Sequence, residues 1–285
     1  MSIKHHVADL WHNPHKRNWL FIGLGALLVM LVVVYKAHTR WIPDIAEYIA
    51  QELPREIYQS VGDSTLESLD DEQFKPSTLS ENKQNEIREK FGTMVVDLAL
   101  DSTRYQLHFR DWEEGINAFA LMNGAIVVTD ALVQTLDESL QLNAVLLHEI
   151  GHINNNHLME NTLRVSIFYV TLSMIVGDIS VVADLLVEAS AMGLNFSFSR
   201  EFELEADAYA AKSMLQLYNT ADPAIKAFEA LEIAHQADAQ KQAEDTSPAN
   251  PDKTPSEVYQ WLSSHPPTRE RIEHIQQIVE ESQSK

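Results

Sequence analysis

The stretch LLHEIGHINNNH, which begins at Leu146, contains the residues best suited to chemistry. His148 and His152 are four residues apart, so on a helix both imidazoles lie on one face and can reach a single metal ion. Glu149 is placed beside the open position of that metal, where a carboxylate can accept a proton from metal-bound water. The HExxH pattern therefore predicts a zinc protease, although so short a pattern also occurs by chance and needs support from the rest of the chain.

A carboxylate from a second helix would complete the ligand set that leaves a fourth position for water. Residues 199–218, SREFELEADAYAAKSMLQLY, contain no Gly or Pro and predict a helix. Glu203 and Asp207 share one face of it, so Glu203 is the natural third ligand and Asp207 can fix the tautomer of a ligand histidine. Glu201 and Glu205 point to other faces. The alternative is a solvated acidic face, which the upstream HExxH disfavours.

His157 is a further histidine beside the motif, nine residues beyond His148. On one continuous helix it lies roughly half a turn out of phase, so we predict a structural or surface role rather than metal binding. The chain contains no cysteine, which excludes disulfides and thiolate ligands and leaves His and carboxylate groups to bind a metal.

Four motifs occur in a fixed order within about residues 85–280: NAFALMNGAIVVT, HEIGH, SREFELEAD and SSHPPTRERI. Together they resemble zinc metallopeptidase family forty-eight, which includes the membrane protease HtpX, the Oma-type mitochondrial protease and the CAAX prenyl proteases. The resemblance implies a gluzincin-like domain with endopeptidase activity and one Zn²⁺ per chain. It assigns His148, His152 and Glu203 to the zinc, Glu149 to the general base and Asp207 to the support of a ligand.

The same resemblance implies a substrate-binding edge strand beside the cleft, formed by Asn117, Ala118, Phe119 and Ala120. It also places His265, in SSHPPTRERI, near the active site, where the ring would help to stabilise the oxyanion or cover the zinc. One departure concerns the turn after this strand, where many relatives read NAFALPGG and this chain has Met122 and Asn123. The departure affects the loop conformation and leaves the chemistry intact.

An apolar stretch near the N-terminus predicts attachment to a membrane. Trp19–Tyr35 reads WLFIGLGALLVMLVVVY, without a charged side chain and with an aromatic residue at each end. We predict an uncleaved signal anchor over residues 19–37, because the alternative, a signal peptide, lacks a small-x-small cleavage site. A second apolar run, Val165–Val176, is too short to span and predicts a buried helix or one lying against the membrane.

The predicted organisation is a cytoplasmic tail (1–18), the anchor (19–37), an acidic connector (38–80) and a catalytic domain (81–285). The fold class is α+β, mainly helical, with a small β-sheet whose strands are predicted at Tyr105–Arg110, Asn117–Leu121 and Ala125–Thr129. Cationic residues flank the anchor almost equally, and the short N-terminal flank should remain in the cytoplasm. For a bacterial source, the catalytic domain would then lie on the periplasmic side of the inner membrane.

The net charge of −21 argues against nucleic acid or an anionic membrane surface as a partner, because a polyanion would be repelled. The function predicted is a membrane-anchored zinc endopeptidase that acts on polypeptides. The family resemblance adds quality control of the cell envelope, with misfolded or membrane-associated proteins as substrates. The alternative from another class is a membrane-tethered, chaperone-like binding module with a latent or structural zinc site. No oligomeric state is predicted.

Overall fold

A computed structural model describes residues 14–113, 115–136, 139–176, 198–245, 265–266 and 269–284. Most of the predicted tail, a helix cap predicted at Asp137 and the Pro-rich loop predicted after Asp245 lie outside the described residues. The described helices, in chain order, are α1 (Pro14–Lys36), a π-helical turn (Ala37–Trp41), α2 (Ile42–Glu52), α3 (Arg55–Glu72), α4 (Glu81–Asp97), α5 (Asp130–Thr135), α6 (Ser139–Asn154), α7 (His157–Val176), α8 (Arg200–Tyr218), α9 (Asp222–Asp245) and α10 (Arg269–Gln283).

The described strands form one mixed sheet in the order β1-β2-β4-β3. They are β1 (Phe74–Pro76), β2 (Gln106–Trp112), β3 (Ala118–Ala120) and β4 (Ala125–Thr129). β2 and β4 are parallel, whereas β1 pairs antiparallel with β2, and β3 pairs antiparallel with β4. The protein is therefore mainly helical with a small mixed sheet, as the sequence predicts, and β3 is an edge strand.

β1 lies within the segment predicted as an acidic connector (38–80), which also contains helices α2 and α3. Its three residues are too few to show strand alternation, and Phe74 is held by aromatic contacts with Trp112 on β2 and Phe119 on β3. Because β1 belongs to the same sheet as β2, the structure integrates this segment with the residues that follow. A domain boundary at residue 81 remains a prediction.

The helix that carries HExxH crosses the middle of the core, and its residues from Gln141 to Ile153 are all buried. The sequence predicts one helix over residues 138–159, but the structure has two. The chain breaks at Asn156, whose φ of 56° is left-handed, a conformation that asparagine tolerates better than most residues. The prediction of a single helix is therefore wrong. His157 does not lie on one continuous helix with His148, so the predicted half-turn phase difference between them does not apply.

The N-terminal helices form a long continuous rod. Within it, Phe21–Glu52 contains an apolar segment long enough to cross a membrane, and that segment is not buried against the protein. The exposed side chains include Trp19 and Tyr35 at the two ends of the apolar stretch. Among the described residues there is thus one candidate membrane span, which lies near the N-terminus at the place where the sequence predicts an anchor.

Candidate metal centre

Four buried side chains from three parts of the chain converge on one point. They are His148 and His152 of α6, Glu203 of α8 and His265, which precedes α10, and one donor atom of each lies within 4.8 Å of the others. Each of these residues is at most 3% exposed. The structure therefore brings together the three predicted metal ligands and the histidine predicted to lie near them.

The spacing of the donor atoms matches a tetrahedral zinc site, in which bonds of about 2.0–2.1 Å place neighbouring donors about 3.3 Å apart. His148 Nε2 lies 3.0 Å from His152 Nε2 and 3.3 Å from His265 Nδ1. Glu203 Oε1 lies 3.5 Å from His152 Nε2 and 2.9 Å from His265 Nδ1. Imidazole nitrogens and one carboxylate are the donors that zinc prefers when thiolates are absent, so the residues present fit a zinc ion.

A close approach of two helices allows Glu203 to reach the histidines. Gly151, inside the HExxH motif, faces Ala206 of α8, and a Cβ atom at Gly151 would lie only 3.0 Å from the Ala206 Cα. Ser199 begins α8 as its cap, accepting a hydrogen bond from the backbone N–H of Phe202. The glycine of HEIGH therefore lets α8 carry its carboxylates up to α6.

Asp207 contacts His148, the first of the predicted ligands. Its Oδ1 lies 3.0 Å from Nδ1 of His148, so that nitrogen carries the proton and Nε2 points to the centre with its lone pair. Burial would raise the pKa of Asp207, but hydrogen bonds from Arg271 and His148 outweigh it and lower that pKa. The carboxylate is therefore charged and oriented by Arg271, whose two nitrogens donate to it at 2.6 and 2.7 Å.

His157 contacts His152, the second of the predicted ligands. Its Nδ1 lies 2.9 Å from Nδ1 of His152, and its Nε2 lies 3.1 Å from Glu205 Oε2. Burial lowers the pKa of His157 to about 3, so the ring is neutral. Its Nε2–H donates a hydrogen bond to Glu205, and its Nδ1 accepts a hydrogen bond from His152. This arrangement leaves Nε2 of His152 as a donor atom for the metal. His157 is thus buried beside His152, which it reaches because the helix breaks at Asn156. A structural role for His157 remains a prediction.

Glu149 lies beside the four donor atoms without joining them. Its Oε2 accepts a hydrogen bond of 2.9 Å from the backbone N–H of Ala120, whereas its Oε1 is buried and has no hydrogen-bond partner among the described residues. Oε1 also lies 3.6 Å from Nε2 of His265. Burial raises the pKa of the Glu149 carboxyl, which moves it towards the range that suits a general base.

The predicted substrate strand is β3, and it lies against α6. The backbone groups of Asn117 and Leu121 bond to β4, so by alternation those of Ala118 and Ala120 face away from β4 and towards the centre. The side-chain Oδ1 of Asn117 is buried and has no partner among the described residues. β3 lies at the edge of the sheet, as predicted. Residues Ala118–Ala120 are all buried, however, so this edge is covered by other parts of the protein.

Arg271 is a residue of the site that the sequence interpretation missed. It is 1% exposed, binds Asp207 through two hydrogen bonds and has its Nη1 2.7 Å from Glu203 Oε2. Its position in the SSHPPTRERI motif, four residues before Ile275, is the signal that could have found it. The sequence predicts a terminal helix that packs on the domain through Ile275, and on that helix Arg271 shares the same inward face.

Replacing Arg271 with methionine should weaken both the fold and the centre. Removing one partner of a buried ion pair leaves Asp207 and Glu203 uncompensated, which typically costs about 3–5 kcal/mol of unfolding free energy. Loss of a group that orients a metal ligand also lowers metal affinity by about 10–100-fold. Urea unfolding and zinc titration of the same preparation measure the two effects.

Arg269 of the same helix is the matched control, because its ion pair with Glu273 is on the surface, where such pairs contribute at most about 1 kcal/mol. If Arg269→Met and Arg271→Met lose equal amounts of unfolding free energy and of zinc affinity, the buried ion pair of Arg271 has no special role.

Comparison with known proteins points to metal-dependent peptidases, in agreement with this cluster of donor atoms. A family model described as Peptidase family M48 matches residues 81–279. The chain is 25% identical over 292 residues to the mitochondrial metalloendopeptidase OMA1 of Schizosaccharomyces pombe, covering 96% of this chain and 76% of that protein. It is 24% identical over 280 residues to the human mitochondrial metalloendopeptidase OMA1, covering 94% of this chain and 51% of the human protein.

A bacterial protein is also similar: the protease HtpX homolog of Sulfurihydrogenibium sp. is 27% identical over 203 residues, which are 59% of this chain and 66% of that protein. The chain spans about half the length of the human protein that it matches.

Proposed function

Since the chain belongs to peptidase family M48 and is a metalloendopeptidase, we propose that it is a membrane-anchored zinc enzyme whose general base is Glu149. The observation that carries this proposal is the convergence of four buried donor atoms at tetrahedral spacing, with a separate carboxylate beside them. A structural zinc site would need the four donors but has no use for Glu149.

His148, His152 and Glu203 hold the ion in this proposal, and Asp207 and His157 fix the two rings. A bound zinc ion supplies Lewis acidity, which polarises the scissile carbonyl and makes a water molecule more acidic. Arg271 keeps the Asp207 carboxylate charged. The side chains of the protein carry out the proton transfers.

Glu149 takes the proton from the attacking water at Oε1, the oxygen that has no hydrogen-bond partner among the described residues, and later gives it to the leaving amine. Its other oxygen is held by the Ala120 amide, so the carboxylate stays oriented while it exchanges the proton. The raised pKa of Glu149 favours this transfer, because a base is most effective when its pKa is close to the working pH.

The substrate, a polypeptide, lies extended along β3 and adds a strand to the edge of the sheet. The backbone N–H and C=O of Ala118 and the C=O of Ala120 bind its main chain, whereas the N–H of Ala120 stays on Glu149. Asn117 and Phe119 belong to the same edge. Because β3 is buried in this state, the cleft has to open before a substrate can bind. Main-chain binding gives modest sequence preference and suits misfolded or membrane-associated proteins.

His265 Nδ1 lies 3.3 Å from His148 Nε2 and 2.9 Å from Glu203 Oε1, so it would occupy the position that a bound catalytic zinc would otherwise leave for water. We assign it the covering role rather than the oxyanion role. Replacing His265 with alanine should then raise the rate of casein cleavage several-fold at unchanged metal content, since three ligands remain. Initial rates measured with and without the substitution check this expectation. A loss of kcat by about 10²–10³-fold would instead support oxyanion stabilisation.

Localisation forms part of the same proposal. α1 anchors the chain, the short N-terminal flank stays in the cytoplasm and the domain lies on the opposite side of a bacterial inner membrane. A role in quality control of the cell envelope is proposed on the family resemblance.

The direct test is cleavage of unfolded casein by the purified full chain in detergent. Activity should disappear with a zinc chelator and return when Zn²⁺ is added back. If zinc binds stoichiometrically and casein is still not cleaved, the protein is the membrane-tethered binding module instead.

A further inference from the structure

Helix α3 lies in the segment that the sequence predicts as a connector, yet it packs against the sheet. Gly62, Leu66 and Leu69 are spaced i, i+4 and i+7, so they share one face of the helix. Leu69 belongs to one apolar cluster with Phe119 of β3, and Leu66 packs against that cluster. α3 therefore supports the strand that is proposed to bind the substrate.

Gly62 brings this face of α3 onto the turn between β3 and β4. A Cβ atom at Gly62 would lie 2.3 Å from the backbone nitrogen of Asn123, whereas non-bonded heavy atoms settle about 3.5–4.0 Å apart. The obstacle is main chain and not the tip of a flexible side chain, so a change of rotamer cannot relieve the overlap. Only glycine lets α3 approach the turn this closely.

The side chain of Asn123 completes the contact. Its Nδ2 donates a hydrogen bond of 2.7 Å to Oδ1 of Asp63, and its Oδ1 accepts one of 3.0 Å from the backbone N–H of Ala125, where β4 begins. The NAFALPGG pattern of many relatives has glycine at this position, and glycine has no side chain to make either bond. The departure at Asn123 therefore ties the turn to α3.

The turn in its place determines where β3 ends. The strand has only three residues, and the residue that follows it, Leu121, is held within the turn. The Leu121 N–H donates to the Ala125 carbonyl at 2.7 Å, and the Leu121 carbonyl accepts from the Gly124 N–H at 3.0 Å. A displacement of the turn therefore reaches Ala120, the last residue of β3.

α3 is braced at both ends, so it can hold the turn in place. Asp70 lies seven residues beyond Asp63, on the same face, and accepts hydrogen bonds of 2.6 and 2.8 Å from Arg110 of β2. Near the start of α3, the Tyr58 hydroxyl donates to the Ala50 carbonyl of α2, the last helix of the N-terminal rod. The helix is thus fixed to the sheet and to the rod.

We propose that Gly62, Asp63 and Asn123 are positioning residues for substrate binding, because they fix the turn and thereby the place at which β3 presents its main chain to a polypeptide. The proposal rests on the proposed function, which takes β3 as the substrate strand. The zinc donors and Glu149 lie on other elements. Disturbing the contact should therefore weaken binding of the substrate and of the transition state alike, which raises KM and leaves kcat unchanged.

Gly62→Ala tests the close approach, and Gly92→Ala is its matched control. Each variant replaces a glycine within a helix by alanine, which by itself favours the helix. At Gly92 no atom of another described element lies within 4 Å of an added Cβ. We expect Gly62→Ala to raise KM for labelled casein about 2–10-fold, the loss of roughly one main-chain hydrogen bond, at unchanged kcat and zinc content. Gly92→Ala should keep the wild-type KM.

An exchange of the hydrogen-bonded pair tests the same contact without altering the packing. Asn123→Asp places a carboxylate opposite Asp63 and should raise KM in the same range. Adding Asp63→Asn restores one donor and one acceptor, so the double variant should recover most of the wild-type KM. Adding Asp71→Asn instead removes the same charge at an exposed position of α3 and should give no recovery.

A wild-type KM in both Gly62→Ala and Asn123→Asp would overturn the proposal, as would equal recovery by Asp63→Asn and Asp71→Asn. A joint fall of kcat and zinc content would also contradict it, because α3 would then support the metal centre and not substrate binding. Should Gly62→Ala fail to fold, the exchange of the exposed pair decides alone. If the wild-type chain binds zinc and cleaves no casein, the proposed function fails and the inference with it.

Discussion

Glu149→Gln should lower the rate of casein cleavage by about 10²–10⁴-fold, the contribution typical of a general acid or base, while the zinc content stays near that of the wild type. The glutamine carbonyl can still accept the hydrogen bond from the Ala120 amide that now binds Oε2. The substitution therefore removes the proton acceptor and keeps the contact between α6 and β3. Initial rates and metal analysis on the same preparation measure both effects.

Glu149→Ala is the companion variant, because it removes the base and the contact with Ala120 together. Both variants should be inactive, but only the alanine should reduce thermal stability. Full activity in Glu149→Gln would exclude Glu149 as the base, whatever its effect on stability.

Glu203→Ala should strongly weaken zinc binding and abolish proteolysis. Glu203 supplies the one carboxylate oxygen among the four converging donor atoms, so the variant keeps only neutral histidine nitrogens to hold the ion. The loss of metal affinity should exceed the roughly 10–100-fold that follows from removing a group outside the ligand set. Equilibrium dialysis against a zinc buffer measures it.

Glu205→Ala is the matched control on the same helix. Glu205 is about half exposed, and its carboxylate contacts His157 rather than the metal donors. This variant should keep stoichiometric zinc. The opposite result, with metal lost from Glu205→Ala and retained by Glu203→Ala, would move the third ligand.

Local spacing is what made the centre of the site predictable. His148 and His152 are neighbours on any helix, and the chemistry of zinc then calls for one carboxylate from elsewhere, which helical phase assigns to Glu203 with Asp207 beside it. The structure brings these four residues together. That zinc binds there remains a proposal.

Contacts that depend on distant parts of the chain were not predictable in the same way. His157 reaches His152 because the helix breaks at Asn156, and a stretch of three asparagines does not reveal where the break falls. Arg271 lies 64 residues beyond Asp207, and its burial depends on how α10 packs on α8. β1 is a short strand formed through pairing with β2, 38 residues away along the chain.

The central claim is that one zinc ion lies between α6 and α8. The most direct measurement is anomalous X-ray scattering at the zinc edge from crystals of the protein. The account predicts one peak about 2.0–2.1 Å from His148 Nε2, His152 Nε2 and a Glu203 oxygen. Zinc located elsewhere, or a metal-loaded protein without a peak at these three residues, would contradict it.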